Sequence, residues 1–323
     1  ALFQNIATPF VFRTITFSSG GASFFLGGQT LQFDANGSAI TQSSSNAESI
    51  ANNIDATGKG ANVTTTITLG GAGSGLVTLS GIISKGGSAD DYAISKTSTS
   101  TFALTGANTY GGATSVTGGT LLVSNTTGSG TGTAAVTVNG SGTTLGGTGT
   151  VSGSVTLGNT TAGAILNPGA KGTAGTAGAV GTLNTGAITL TGSNAFHIDA
   201  SGTGAGNWDK LNVIGAVVLG TTSTLDLAIA TGLAFTLGTQ YTLIANDGTD
   251  AISGAFANAA NGATITAGNY NFMVNYAGGT GNDLVLTVVP EPATWIGGAV
   301  AAGAMAFVRR RRPGTQLRCS RDR

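Results

Sequence analysis

The chain has 323 residues, a formal net charge of zero and only 8% charged side chains, against roughly a quarter in ordinary globular domains. Nucleic-acid binding requires a basic face that such a chain does not offer, so we expect no nucleic-acid partner. With 55 glycines but 40% hydrophobic residues, the composition excludes a disordered linker and favours short strands joined by turns.

The beginning of the chain and its cysteine content bear on export. The single cysteine, Cys319, lies among the last residues, so no intrachain disulfide can form. The first ten residues, ALFQNIATPF, contain neither a Met nor the basic and apolar regions of a signal peptide, which we interpret as a processed end or a fragment. Residues 1–60 mix strand and turn signals, and we interpret them as irregular N-terminal β rungs or a cap.

Residues 61–289 carry the strongest strand pattern, in which short β-branched runs alternate with Gly clusters. The strand centres lie roughly 8 to 12 residues apart, a spacing that permits either a sandwich or a solenoid. The sequence pattern repeats along this region, which favours a β-solenoid, whose coils stack on one another. Alternation predicts that Val136, Val138, Val155 and Leu157 point inward.

One stretch within 103–132 carries a family resemblance. Residues 104–123, LTGANTYGGATSVTGGTLLV, resemble the autotransporter-associated β-strand repeat, over about one repeat of on the order of 30 residues. The resemblance implies an all-β fold, a right-handed parallel β-helix on a bacterial surface, in which the matching residues are structural. These residues are Leu104, Thr105, Gly106, Asn108, Tyr110, Gly112, Thr114, Val116, Gly119, Thr120, Leu121 and Val123.

Later strands continue the alternation and predict a terminal cap. The inward positions are predicted to be Leu211, Val213, Leu225, Leu227 and Ile229. Asp226 and Ala228 are predicted to face outward. The last strands are longer and more aromatic, and one face is predicted to carry Tyr270, Phe272, Val274 and Tyr276.

The C-terminal segment, residues 290–312, has three parts in a fixed order. Pro290, Glu291 and Pro292 form a rigid, extended tripeptide that cannot continue a strand or a helix. An apolar run of roughly 14 residues follows, shorter than the ~20 of a comfortable membrane span. Basic residues end the segment and are expected to stay on the cytoplasmic side of a membrane; they are Arg309, Arg310, Arg311 and Arg312.

These three parts together resemble a PEP-CTERM sorting signal. The resemblance implies a short hydrophobic helix that anchors the chain transiently in the inner membrane, and a sorting enzyme, exosortase, that recognises and cleaves the PEP motif. It also implies an exported protein at the cell surface or in the extracellular matrix. Residues 313–323, which follow the Arg cluster, depart from the usual end of such signals and are predicted to be a disordered tail. A plain membrane anchor or a short buried helix is the alternative.

Few residues suggest catalysis. His197 is the only histidine, and it shares a strand face with Asp199, with Ser201 following. Any Ser-His-Asp triad must use His197, but neighbours on one strand do not form a triad, so we interpret it as an exposed or laddered side chain. Basic residues outside the tail, including Lys96 and Lys210, are few and scattered, and Asp90-Asp91 is the only acidic pair.

Residues 278–286, GGTGNDLVL, fit the Ca²⁺-binding nonapeptide G-G-x-G-x-D-x-U-x. Such sites need consecutive copies, since one turn completes the next, and this chain has a single copy. The alternative is a closing strand of the repeat family. We therefore predict no metal and no cofactor, with Asp283 left as the residue on which a calcium site would depend.

The expected function is a non-enzymatic, secreted or cell-surface β-solenoid with a structural or adhesive role in an extracellular matrix or biofilm. Its expected partners are exosortase and exopolysaccharide or surface glycans, since long Thr, Ser and Asn faces suit them. A carbohydrate-active β-helix enzyme, resembling a polysaccharide lyase, is the alternative, and it needs an outward cluster of acidic and basic residues. A further alternative is an autotransporter passenger fragment, which depends on a C-terminal membrane domain in place of the Arg cluster.

Overall fold

A computed structural model of the protein describes residues 2–4, 10–33, 37–56, 63–86, 90–159, 163–170 and 177–291. These residues form thirty strands and one 3-10 turn, Ala205–Asn207. The hydrophobic helix predicted at the C-terminus lies outside the described residues. So do Pro292 and the four arginines of the predicted sorting signal.

The first strands are β1 (Leu2–Gln4), β2 (Phe10–Phe12), β3 (Thr14–Phe17), β4 (Phe25–Gly28), β5 (Leu31–Phe33), β6 (Ser38–Gln42), β7 (Glu48–Ile50), β8 (Ile54–Asp55), β9 (Thr64–Gly70), β10 (Leu76–Leu79), β11 (Ile83–Ser84) and β12 (Asp91–Lys96). The middle strands are β13 (Thr101–Leu104), β14 (Thr114–Val116), β15 (Thr120–Val123), β16 (Val136–Val138), β17 (Thr144–Gly147), β18 (Thr150–Val151), β19 (Val155–Asn159), β20 (Ile165–Pro168), β21 (Thr182–Thr185) and β22 (Ile188–Gly192). The last strands are β23 (Ala195–Ala200), β24 (Lys210–Val213), β25 (Val217–Leu219), β26 (Thr224–Ile229), β27 (Gln240–Asn246), β28 (Thr264–Ala267), β29 (Tyr270–Gly278) and β30 (Asp283–Val289).

Successive strands belong to different sheets, so the chain winds into coils. Sheet 1 has ten strands in the order β1-β4-β7-β10-β13-β15-β17-β20-β23-β26, and sheet 3 has nine in the order β3-β6-β9-β12-β14-β16-β19-β22-β25. The early coils also contribute a strand to sheet 2 (β2-β5-β8-β11), and the later coils contribute to sheet 4 (β18-β21-β24-β27-β30-β29-β28). The two coils formed by β13–β14 and β15–β16 contribute only to sheets 1 and 3. Every pairing in sheets 1 to 3 is parallel. The predicted parallel β-helix is confirmed.

Alternation along each strand builds one continuous core. Phe102 of β13 pairs in register with Val77 of β10 and Leu121 of β15, and all three side chains are fully buried. In sheet 3 the four predicted inward residues, Val136, Val138, Val155 and Leu157, are also fully buried. Full burial of each such side chain contributes roughly 1.5–3 kcal/mol, so the stacked columns supply the main stabilising force.

The predicted inward and outward positions of the later strands are confirmed with one exception. Leu211, Val213, Leu225 and Ile229 are buried, Leu227 is partly buried against the core and Asp226 is exposed. Ala228 is only 4% exposed, so its predicted outward exposure is wrong. Ala228 pairs in register with Asp199, which is itself fully buried, because the outer face of sheet 1 is covered at this point.

Two residues of the family-like stretch hold its corner in place. Asn108 accepts a hydrogen bond from the backbone N–H of Ile83 (2.8 Å) and donates one from Nδ2 to the carbonyl of Gly130 (2.6 Å), so it links the coils before and after its own. The Tyr110 hydroxyl lies 2.8 Å from the Thr114 hydroxyl inside the coil. Both side chains are buried, and both are structural.

The late end of the helix is closed by antiparallel strands and aromatic packing. β27, β30, β29 and β28 pair antiparallel, and Phe272, Val274 and Tyr276 are buried with Tyr270 packed beside them, as predicted. At the free edge of β26, the side-chain amide of Asn258 takes the place of a strand partner for Leu225. Its Oδ1 accepts a hydrogen bond from the Leu225 N–H, and its Nδ2 donates one to the Leu225 carbonyl. Pairing of Leu225 in this way reduces the number of free backbone groups at this edge.

We expect Asn108→Ala to lower the free energy of unfolding by roughly 2–4 kcal/mol, because it leaves a buried N–H and a buried carbonyl unpaired. The measurement is the urea unfolding midpoint followed by circular dichroism. Asn212→Ala is the control, since Asn212 is only partly buried and makes one side-chain bond, to Asn184. Equal midpoint shifts in the two variants would contradict the bridging role of Asn108.

Candidate functional site

A group of ionisable side chains, most of them buried, surrounds His197 on the covered outer face of sheet 1. Strand β23 presents His197 and Asp199 on one face, and β26 places Asp226 in register with His197. Asn167 comes from the end of β20, and Asp209 directly precedes β24. His197 is 3% exposed, and Asn167, Asp199 and Asp209 are fully buried. We call these five residues the His197 cluster.

The cluster fills a gap in sheet 1. Strands β20 and β23 pair only at Ile165 with Ala195 and at Leu166 with Phe196. Beyond this point side chains replace the missing backbone partners of β23. Asn167 Nδ2 donates to the carbonyl of His197 (3.3 Å), and Asp209 Oδ2 accepts from the N–H of Asp199 (2.9 Å). Buried backbone groups must be paired, so Asn167 and Asp209 complete this strand edge.

The imidazole of His197 lies between two carboxylates. Its Nδ1 is 2.6 Å from Asp226 Oδ2, and its Nε2 is 3.3 Å from Asp199 Oδ1. Burial by itself lowers the pKa of His197, but the hydrogen bonds and charges of Asp199 and Asp226 outweigh it and raise the pKa to about 9. At neutral pH His197 is therefore a buried cation flanked by two acids. The predicted ladder is confirmed, and the exposure predicted as its alternative is wrong.

Asp209 shares its environment with Asp199. Burial raises the pKa of Asp209 to about 7, although the N–H groups of Asp199 and Gly181 work in the opposite direction. Asn167 Nδ2 lies 3.0 Å from Asp209 Oδ2 and 3.5 Å from Asp199 Oδ2, so it bridges both acids. The Oδ1 atom of Asn167 is buried without a hydrogen-bond partner among the described residues.

The cluster offers no nucleophile to a substrate. The Ser201 hydroxyl points to the carbonyl of Asn207 (3.4 Å), while both ring nitrogens of His197 face carboxylates. Among the described residues no group of three or more His, Cys, Asp or Glu side chains is arranged to hold a metal ion. The geometry supports charge compensation and backbone pairing inside the fold.

The calcium-like segment at 278–286 is a turn between antiparallel strands. Asp283 Oδ1 accepts from the N–H of Asn246 (2.9 Å) and Oδ2 from the N–H of Thr280 (3.1 Å). Its carboxylate is 6% exposed and holds the turn against the neighbouring strand. Both carboxylate oxygens of Asp283 thus accept hydrogen bonds from backbone N–H groups, which gives Asp283 a structural role in the turn.

Lys96 is a buried cation. Its burial is not predicted from the sequence above, where Lys96 is one of the few scattered basic residues. It stands in register with Leu69 and Val116 at an inward position and is fully buried. Its Nζ donates to the carbonyls of Thr97 (2.6 Å), Ser98 (3.0 Å) and Gly118 (2.9 Å). Burial lowers the pKa of Lys96 to about 8. The strict alternation of DYAISK, which places Lys96 inward after Tyr92 and Ile94, is the signal that could have found it.

The part of the predicted sorting signal that the structure describes lies at the end of the last strand. β30 ends at Val289, Pro290 is partly buried and Glu291 is exposed. Pro292, Arg309, Arg310, Arg311 and Arg312 lie outside the described residues. The part of the chain that the structure describes contains no helix of the length and apolarity needed to cross a membrane.

We expect the stability of the protein to fall with rising pH through the His197 cluster. The folded-state pKa of His197 is about 9 against roughly 6.5 in unfolded chains, so its stabilisation is complete below about pH 6.5 and lost as pH rises through 9. The raised pKa of Asp209 acts in the same direction, with its stabilisation lost as pH rises through about 7.

His197→Gln should therefore lower the free energy of unfolding most near pH 5–6, and the difference from the wild-type protein should shrink towards pH 9. Urea unfolding at a series of pH values measures this difference. Because His197 is the only histidine, NMR titration of its ring in the wild-type protein and in Asp226→Asn reports the pKa directly, and the variant should titrate lower. A pH-independent destabilisation by His197→Gln would contradict the ionic role.

Comparisons with known proteins leave function to be argued from the geometry. No protein-family model matches the chain, and no curated protein is significantly similar to it. The His197 cluster, Lys96 and the start of the PEP motif are therefore the features on which a function can be proposed.

Proposed function

We propose that the chain is a non-enzymatic, exported β-solenoid with a structural or adhesive role in an extracellular matrix or biofilm. One observation carries the proposal: the ionisable side chains buried in the described interior serve the fold itself. His197, Asp199 and Asp209 are buried within the His197 cluster, and Lys96 binds three turn carbonyls. An enzyme needs such groups in a cleft that a substrate reaches.

The outer surface supports an adhesive role. Many outward positions of sheet 3 carry Thr, Ser or Ala, and charged residues make up only 8% of the chain. A long, rigid stack of such coils presents the same uncharged groups repeatedly, which favours many weak contacts over one tight site. Exopolysaccharide and surface glycans, rich in hydroxyl groups and extended, are the partners that we propose for these faces.

The position of the PEP motif supports processing by exosortase. The motif follows the last strand directly, and Pro290 cannot donate to a further ladder bond. Pro290 is partly buried and Glu291 is exposed at the surface, which supports access of a membrane enzyme to this end of the described chain without unfolding of β30. In this proposal the segment after the motif is a transient membrane anchor, and the released solenoid remains outside the cell.

The test is the intact mass of the protein in each cell fraction of its native host. We expect the wild-type protein outside the cell with mass lost near Pro292, and the double variant Glu291→Ala/Pro292→Ala at full length in the membrane. Thr287→Ala, on the same final strand, is the control and should be processed normally. A full-length wild-type chain retained in the membrane would remove sorting from the proposal and leave an anchored solenoid.

A further inference from the structure

The outer face of sheet 3 carries an unbroken column of hydroxyl groups. Register pairs place one Thr or Ser outward at the same position in six consecutive coils. The column consists of Thr68, Ser95, Ser115, Thr137, Thr156 and Thr189. Each residue is partly exposed, between inward neighbours that are buried. Because the coils are about 4.8 Å apart, the hydroxyl groups repeat at that spacing.

The two flanking columns are equally small and uncharged. Two residues before the hydroxyl column stand Thr66, Ala93, Ala113, Ala135, Ser154 and Ala187. Two residues after it stand Gly70, Thr97, Thr117, Asn139, Gly158 and Thr191. These three columns, roughly 6.6 Å apart along the strands, contain no aromatic and no charged side chain. We call them together the hydroxyl face.

The hydroxyl groups of the central column are available to a partner. Within the described residues none of the six makes a side-chain hydrogen bond, whereas Thr114 and Ser100, which point inward, are bonded to their own coil or the next. The strand backbones are already paired on both sides. The central hydroxyls therefore form a regular array that is held rigidly from beneath and left to solvent above.

The shape and chemistry of this face exclude several occupants. Small ligands and short sugars bind in concave sites with convergent polar groups, and this face is a sheet surface. Stacking on sugar rings needs aromatic side chains, which the three columns lack, so a glycan would contact this face by hydrogen bonds alone. A second copy would bury about 500–600 Å² per partner by these spacings, less than the ~800 Å² per partner of a stable interface.

We propose that the hydroxyl face binds the surface of ice crystals. The occupant must be flat, uncharged, extended and periodic, with both donors and acceptors of hydrogen bonds, because hydroxyl groups supply both. The coil spacing is close to the repeat of water oxygens along one axis of the hexagonal ice lattice. The Thr methyl groups and Ala side chains between the hydroxyls exclude disordered water, while the hydroxyls can take positions in the ordered layer.

Binding of this kind gains strength from repetition. Each hydroxyl contact with water contributes little by itself, because it replaces a similar contact with liquid water. Six coils held at one spacing make these contacts simultaneously, so the rigid array binds a lattice far better than it binds any small molecule. This inference does not depend on sorting or on glycan binding, since it concerns one face of the folded chain.

The experiment is partition of the full-length protein into a slowly growing ice front, with recrystallisation of fine ice followed by microscopy. We expect the wild-type protein to be enriched in the ice fraction and to slow recrystallisation. Thr137→Lys places a long charged side chain in the middle of the hydroxyl face and should reduce the enrichment roughly tenfold or more. Thr156→Lys, one coil further along the same column, should behave alike.

The matched control is Thr78→Lys. Thr78 is an outward, partly exposed threonine of sheet 1 that pairs with Ser49 and Ala103, so this variant adds the same charge on another face. It should keep wild-type enrichment, and circular dichroism checks that all three variants fold. Exclusion of the wild-type protein from ice would overturn the proposal, as would equal losses in Thr78→Lys and Thr137→Lys. Adsorption to crystalline cellulose with no enrichment in ice would overturn it in favour of a polysaccharide surface.

Discussion

Pairing of the backbone between coils is the constraint on which the structure depends. Each strand of a parallel β-helix must bond the coils on both sides, because an unpaired buried N–H or carbonyl costs about as much as a lost hydrogen bond. The sheets meet this need along their length, and side chains meet it elsewhere. Asn108 hydrogen-bonds backbone groups of the coils before and after its own. Asn167 and Asp209 pair backbone groups of β23. Lys96 donates hydrogen bonds to turn carbonyls. The backbone thus accounts for these buried polar residues.

Charge in such an interior has to be compensated locally. His197 is buried as a cation only because Asp199 and Asp226 face its two nitrogens, and an isolated buried charge would cost several kcal/mol. Asp226 is 54% exposed, so the cluster reaches the solvent on one side. The Nζ of Lys96 is bonded by backbone carbonyls and relies on their dipoles, and burial lowers its pKa to about 8. The pKa values of the two buried cations are therefore shifted in opposite directions by their surroundings.

The self-similar sequence pattern was enough to predict the fold class, and alternation along short strands predicted the inward residues, since Val136, Val155 and Leu211 lie in the core. Register between coils was out of reach, because nothing local shows that His197 stands opposite Asp226, 29 residues away. The same limit hid the role of Asp209, whose partners lie on other coils, and caused the error at Ala228. The resemblance to a repeat family predicted structural roles for Asn108 and Tyr110. The hydrogen bonds of their side chains provide the physical reason for these roles.

Alternation of side chains along each strand creates both the inner and the outer face of sheet 3, but different forces determine which residues suit each face. Inward residues are chosen for volume, since Ile94 and Val136 must fill a closed coil. Outward residues at Ser95 and Thr137 pack against no core, and stacking in register places similar groups directly above one another. Like charges stacked in this way would repel, whereas hydroxyl groups do not. A parallel β-helix that keeps adjacent outward columns free of charge therefore obtains a rigid periodic array as a consequence of its core, and that array favours periodic surfaces over single molecules.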